Sequence, residues 1–223
     1  MKNTFIITLF FALGITSLQA QTSNRYDWGI EGGPNLSTFR AQEMPFFDIS
    51  PAVYGSGGFI FQYNTKKILS FKTGFSYQRK GYQIKGLTFT DVDGNYLETG
   101  KAIVSLDYIT LPLLVKASFG KKTQFFINAG PYGGFLLSAK GRYIYNGQEN
   151  QKETFTNDVQ RWDFGVASGI GIAIPIKEAW KIHAELRNYF GLIDLSNSGG
   201  GTGIYTNTTD LRLGVVYRLG FRE

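Results

Sequence analysis

The chain has 223 residues, a formal charge of +6 and no cysteine. Disulfides, thiolate metal sites and cysteine nucleophiles are therefore excluded. The basic residues are scattered rather than clustered, which argues against a nucleic-acid partner.

Lys2, the apolar run from Phe5 to Leu18 and the small residue ending Leu18-Gln19-Ala20 read as a cleavable export leader over residues 1–20. Residues 21–223 then form one domain. No later run of about 18 apolar residues appears, so no transmembrane helix is expected. Two-residue alternation recurs instead, broken by turn signals, and predicts eight strands.

The first is Tyr26 to Leu36, with apolar or small even positions opposite Asp27, Glu31 and Asn35. The second, Val53 to Tyr63, sets Val53, Phe59 and Phe61 on one face, and the third, Leu69 to Ile84, sets Leu69, Phe71, Phe75 and Tyr77 against Lys72, Ser76 and Gln78. The fourth, Ser105 to Phe119, opposes Ile109, Leu111, Leu113 and Val115 to Thr110 and Lys116, and the fifth is Thr123 to Ala139. The sixth, Trp162 to Ile174, alternates apolar residues with Asp163 and glycines. The seventh, Trp180 to Leu192, opposes Trp180, Ile182 and Leu186 to His183, Glu185 and Arg187. The eighth, Thr209 to Phe221, opposes Leu211, Leu213 and Val215 to Asp210, Arg212 and Arg218.

The connections alternate between short (64–67, 120–122, 175–179) and long (38–52, 85–104, 140–161, 194–208). Asp93-Gly94 and Asn146-Gly147 mark hairpins inside two of the long ones. Short and long connections in strict turn are the pattern of an outer-membrane barrel, which has short periplasmic turns and longer outer loops. In lipid, every backbone polar group must be bonded internally, so strands can span only as a closed ring. The expected fold is thus all-β: an eight-stranded antiparallel transmembrane barrel, an up-and-down meander with long extracellular loops. Two aromatic girdles are expected. One holds Trp28, Tyr63, Phe71, Phe119, Trp180, Tyr217 and Phe221 at the periplasmic rim, the other Phe39, Tyr77, Trp162, Tyr189 and Phe190 at the outer rim. The rival is a secreted lipocalin-like barrel with the opposite phase, apolar inside and polar outside. The loop alternation speaks against it.

Tyr108-Ile-Thr-Leu-Pro-Leu-Leu-Val-Lys116 resembles the Y-I-x-x-P-L-L-x-K strand of the small outer-membrane barrels called PorT-like or "porin family" proteins. Gly32-Gly-Pro-Asn-Leu-Ser37, Gly130-Pro-Tyr-Gly-Gly134, Asp163-Phe-Gly165 and Arg187-Asn-Tyr-Phe-Gly-Leu192 follow that family's order. The resemblance implies an eight-stranded outer-membrane barrel of the Bacteroidetes type. It carries over no catalytic residue and no cofactor.

The polar faces supply Glu31, Asp163 and Glu185 as anions and Lys72, Lys116, Arg187, Arg212 and Arg218 as cations. The interior of an eight-stranded barrel is just wide enough for side chains to fill. Buried charges must be paired, so these residues are expected to form a luminal salt-bridge network that plugs the barrel. The sharper alternative is a narrow path for ions or small solutes along the same charges. His183 and Glu185 invite comparison with a lipid hydrolase, but both point inward, away from acyl chains. Asp91-Val-Asp93-Gly-Asn95 resembles a calcium loop, yet its glycine and its twelfth residue are wrong for one. Gly199-Gly-Gly201 has no following helix to make a phosphate site.

The expected protein is a non-enzymatic outer-membrane barrel without cofactor or metal. Its partners are outer-membrane lipid, the barrel-insertion machinery and envelope or surface molecules met by the outer loops. Met44, Phe46 and Phe47 in the first long loop are the candidate contact.

Overall fold

Alternation of apolar and polar residues leaves each segment one face fit for lipid or core and one for water or ion pairs, and the segments form strands accordingly. The computed structural model describes residues 25–41, 48–65, 68–90, 96–120, 122–145, 148–177, 179–196 and 203–219. Nine strands occur among them: β1 (Tyr26–Ala41), β2 (Asp48–Asn64), β3 (Leu69–Thr90), β4 (Tyr96–Phe119), β5 (Gln124–Tyr145), β6 (Gln148–Thr154), β7 (Trp162–Pro175), β8 (Trp180–Gly191) and β9 (Ile204–Arg218).

Eight of them close into an antiparallel ring. Each pairs with its neighbour in chain order, with β5 passing to β7, and β9 returns to β1 through Asp27↔Arg218 and Glu31↔Gly214. The ninth, β6, lies outside the ring and pairs with β5 alone. The ring has the expected eight strands, and β6 completes the strand pair that the Asn146-Gly147 signal marks within a long connection. A charged segment with few apolar residues, Gln148–Thr154, carries no alternation to read; its position comes from the hairpin with β5.

Side-chain phase follows the pleat. Ile30, Phe59, Phe75, Leu113, Ile127, Ile170 and Leu213 are exposed on the outer wall, whereas Glu31, Lys72, Glu185, Arg187, Asp210 and Arg212 are buried inside. That is the phase of a lipid-facing ring and the reverse of a lipocalin-like barrel. The belt has two corrections. Phe39 and Tyr189 were expected on the outer girdle but are buried in the lumen, while Tyr77, Trp162 and Phe190 are exposed. Both misplaced rings stand at odd positions of strands whose odd positions face inward, so parity overrides their nearness to a strand end.

The wall is uneven. β3, β4 and β5 have 22, 24 and 22 residues, against 14, 12 and 15 for β7, β8 and β9. A membrane crossing needs only about 9–11 residues, so one side of the ring stands well beyond the crossing, at the end opposite the short turns. The β2–β3 ladder breaks between Pro51 and Ser56. There the freed backbone of β3 finds side chains of β1: Asn35 Nδ2 donates to the Arg79 carbonyl at 3.1 Å, and the Gly81 amide donates to Ser37 Oγ at 2.9 Å.

Met44, Phe46 and Phe47 lie outside the described residues, as do the leader, Phe221, the Asp93-Gly94 and Asn146-Gly147 turns, the Asp91–Asn95 segment and Gly199–Gly201.

Candidate functional site: a salt-bridged lumen

Three carboxylates and three cations meet at mid-barrel, each no more than 4% exposed. Glu31 on β1 is the hub. Lys72 Nζ on β3 donates to Glu31 Oε2 at 2.8 Å and to Glu185 Oε2 at 2.7 Å. Arg187 grips Glu185 with Nε and Nη2 at 2.6 and 2.7 Å, and its Nη1 reaches Glu31 Oε1 at 3.0 Å. Arg212 Nη1 donates to the same oxygen at 2.7 Å, while its Nη2 and Nε hold Asp210 Oδ2 at 2.6 and 2.9 Å. The six formal charges cancel. Asn128 adds a bond to Glu185 at 2.9 Å; Gln78 and Ser56 each bond Asp210 at 3.0 Å.

Placing these groups inside is dictated by the two-residue period. Glu185 and Arg187 are i, i+2 on β8, and Asp210 and Arg212 are i, i+2 on β9, so each pair shares the inner face. Glycines make room beside the hub: Glu31 is flanked by Gly58 on β2 and Gly214 on β9. A Cβ on Gly214 would overlap the His183 ring and stand 2.7 Å from the Ile30 carbonyl oxygen.

His183 Nε2 lies 3.1 Å from Glu31 Oε2, which makes it the protonated ring nitrogen when that carboxylate is ionised. Glu31, His183 and Glu185 bring potential metal-ligand atoms within 4.8 Å of one another. Those carboxylate oxygens already accept from Lys72, Arg187 and Arg212. A divalent cation would have to displace three fixed positive charges, so this is an ion-pair hub rather than a metal site. Among the described residues the hydrogen bond of the His183 ring goes to Glu31.

The remaining candidates sit in other layers. Asp163 pairs with Lys80 at 2.7 Å and accepts from Tyr132 at 3.2 Å and Thr206 at 3.0 Å. The Lys80 ammonium stands 5.3, 4.7 and 5.6 Å from the rings of Tyr108, Tyr132 and Tyr189, within cation–π range. Arg218 is remote from the hub and binds Asp27 at 3.0 Å, near the short-turn end, with Lys181 3.6 Å from the same carboxylate. Lys116 joins no carboxylate: its Nζ donates to Gln62 Oε1 at 3.1 Å and stands 4.0 Å from the Phe126 ring centroid.

Sequence reasoning passed over Lys80, Asp210 and Asp27 as members of these layers. All three keep the parity of residues it did name, so the signal was present. It also missed an apolar cap at the long-loop end. There Phe39, Leu106, Tyr108, Leu136, Ala139 and Leu195 are buried together, with Phe155 and Val159 packed against them. Leu195, Phe155 and Val159 come from connections, where no period exists to predict burial.

A closed antiparallel ring with an apolar exterior and a salt-bridged interior is an outer-membrane type of β-barrel. The chain belongs to the outer membrane protein beta-barrel domain family, whose sequence model matches residues 19–197. Its location is accordingly the outer membrane. No curated protein matches it in sequence. Among solved structures it is similar to Ail, the attachment invasion locus protein of Yersinia pestis, at 14% identity and a TM-score of 0.43, covering 87% of this chain and 99% of that one. It is also similar to Neisserial surface protein A, at 11% identity and a TM-score of 0.47, over 88% and 98% of the two chains. A third similar structure is the outer membrane protease OmpT from Escherichia coli, at 8% identity and a TM-score of 0.48, over 87% and 97%.

Proposed function

We propose that the chain is a non-enzymatic barrel with a closed lumen, exported with residues 1–20 removed, that works from its outer end. The observation that carries this reading is the neutral hub of Glu31, Glu185, Asp210, Lys72, Arg187 and Arg212, held by bonds of 2.6–3.0 Å. Ions move through a lumen only if fixed charges leave them a hydrated path, and paired charges filling the section leave none. The apolar cap gives the same reading a second layer.

A closed lumen leaves the projecting strands β3 to β6 and the long connections as the working surface, for envelope or surface partners. Tall, hydrogen-bonded strands present such a surface more rigidly than loops alone. No PorT-like secretion role is needed for this reading, and the residues described favour none.

The test is single-channel conductance of the refolded chain in a planar bilayer, with insertion verified independently. A silent membrane is expected. Steady discrete openings would overturn the closed-lumen reading and put the narrow channel in its place.

A further inference from the structure

Charge is neutral in the upper two layers of the lumen but not in the lowest. Lys80 faces Asp163, and the hub sets three cations against three carboxylates. Near the periplasmic end, Asp27 is the one described carboxylate that Lys181 and Arg218 pair with, and Lys116 stands between it and the hub's Glu185 without pairing with either. Lys181 and Arg218 share that carboxylate and have side chains 16% and 26% exposed, so water screens them. Lys116 is only 8% exposed and has neither aid.

A lysine ammonium has three N–H donors. One of Lys116's meets Gln62 Oε1 and the Phe126 ring face takes up another direction. Beside them is a cavity of about 20 Å³ whose polar lining includes Lys116, Lys72, Lys181, His183, Gln62 and Asp27. A space of roughly 10–15 Å³ on this measure holds one water, so this one admits a single atom-sized occupant. An uncompensated buried cation costs several kcal/mol, and Lys116 and Lys181 line this space beside Lys72, whose charge Glu31 and Glu185 already balance.

We propose that this periplasmic cavity is a halide-sized anion site, with Lys116 its principal ligand and chloride its ordinary occupant. The anion completes the charge balance of the lumen where no described side chain does. The site adjoins the hub through Lys72 and holds whether or not the outer loops have a binding partner.

The experiment uses the refolded full-length mature chain. Its urea unfolding midpoint is compared in sodium chloride, sodium bromide and sodium gluconate at one ionic strength, so that screening is constant. Chloride and bromide should raise the midpoint over gluconate, whose anion is too large to enter. Binding to the folded state alone at 100 times the Kd stabilises by about 2.7 kcal/mol, so the shift should grow with halide concentration. The chloride-35 resonance should broaden with the folded protein and sharpen again when bromide competes; this arm needs no variant. Lys116→Met should lose both effects and, in gluconate, be no less stable than the parent chain. Equal midpoints in chloride and gluconate would overturn the proposal. So would a halide effect of full size in Lys116→Met, which would place the anion elsewhere.

Discussion

Glu31 on β1 and Arg187 on β8 meet at 3.0 Å although β9 runs between their strands. The contact is therefore made through the lumen rather than along the wall. It shows how the interior is organised: one carboxylate serves three cations from three strands, and each cation also holds a second carboxylate. Removing the shared member should disturb the whole set.

Glu31→Gln is expected to destabilise the barrel by about 3–5 kcal/mol, the range for breaking a buried ion pair by losing one partner. Adding Lys72→Met restores neutrality, because Arg187 keeps Glu185 and Arg212 keeps Asp210. The double variant should recover part of the loss. Urea unfolding of all three proteins in the same lipid or detergent checks this, and a double variant weaker than the single one would contradict it.

The upper layer gives a parallel case with a different partner. Lys80→Met leaves Asp163 buried without its countercharge, and a loss of about 3–5 kcal/mol should follow. Asp163→Asn added to it removes the charge but keeps an acceptor for Tyr132 and Thr206. Most of the stability should return, as read from the unfolding midpoint.

Gly214→Ala tests the crowding beside the hub. The added methyl group overlaps the His183 ring and approaches the Ile30 carbonyl oxygen, at the junction of β1 and β9. Overpacking of this kind typically costs about 1–3 kcal/mol. The folded fraction after refolding, seen as a mobility difference between unheated and heated samples, should fall. Gly57→Ala, where the nearest atom to a Cβ is 3.7 Å away, should refold normally.

Asp194 governs the β8–β9 connection. Its Oδ1 accepts from the amides of Ser196 and Ile204, both at 2.9 Å. Desolvation pushes its pKa up, but these hydrogen bonds outweigh it and hold the carboxyl below its ordinary value. A depressed carboxylate contributes order that is complete above its unfolded pKa of about 3.9 and lost as pH falls through the lower folded value. Limited proteolysis should therefore spare residues 192–196 at neutral pH and cut there more readily only in strong acid. Asp194→Ala should be cut at neutral pH, with the barrel itself unchanged.

The ring was legible because each crossing strand is lipid on one side and ion pairs on the other, so period two is enforced at nearly every residue. Trp162 to Ile174 shows this: every second residue is exposed, all of them apolar except Ser168, and Asp163 sits inside. The hub was legible in its members but not in its connections. Parity places Lys72, Lys116 and Arg187 inside, yet only strand register sets their heights, and register puts Lys116 beside Asn128 on β5, out of ion-pair distance of the described acids. Strand length beyond the membrane was legible only through the Asp93-Gly94 and Asn146-Gly147 turn signals, not through alternation. In water both faces of β3 to β6 are free to be polar, so the alternation that marks a crossing fades where the crossing ends.

The join between β1 and β9 links residues nearly the full chain apart, as in Glu31↔Gly214. Of Glu31's three cations, Lys72 comes from β3, but Arg187 and Arg212 arrive only with β8 and β9. A nascent barrel lacking its last strands would hold Glu31 half neutralised at an unpaired edge facing hydrocarbon, where both the charge and the bare amides are heavily penalised. Zipping the final seam removes both faults at one stroke. Burial of the hub thus acts as a completeness check: incomplete chains pay an electrostatic penalty that only the last strand can lift, which makes insertion cooperative rather than gradual.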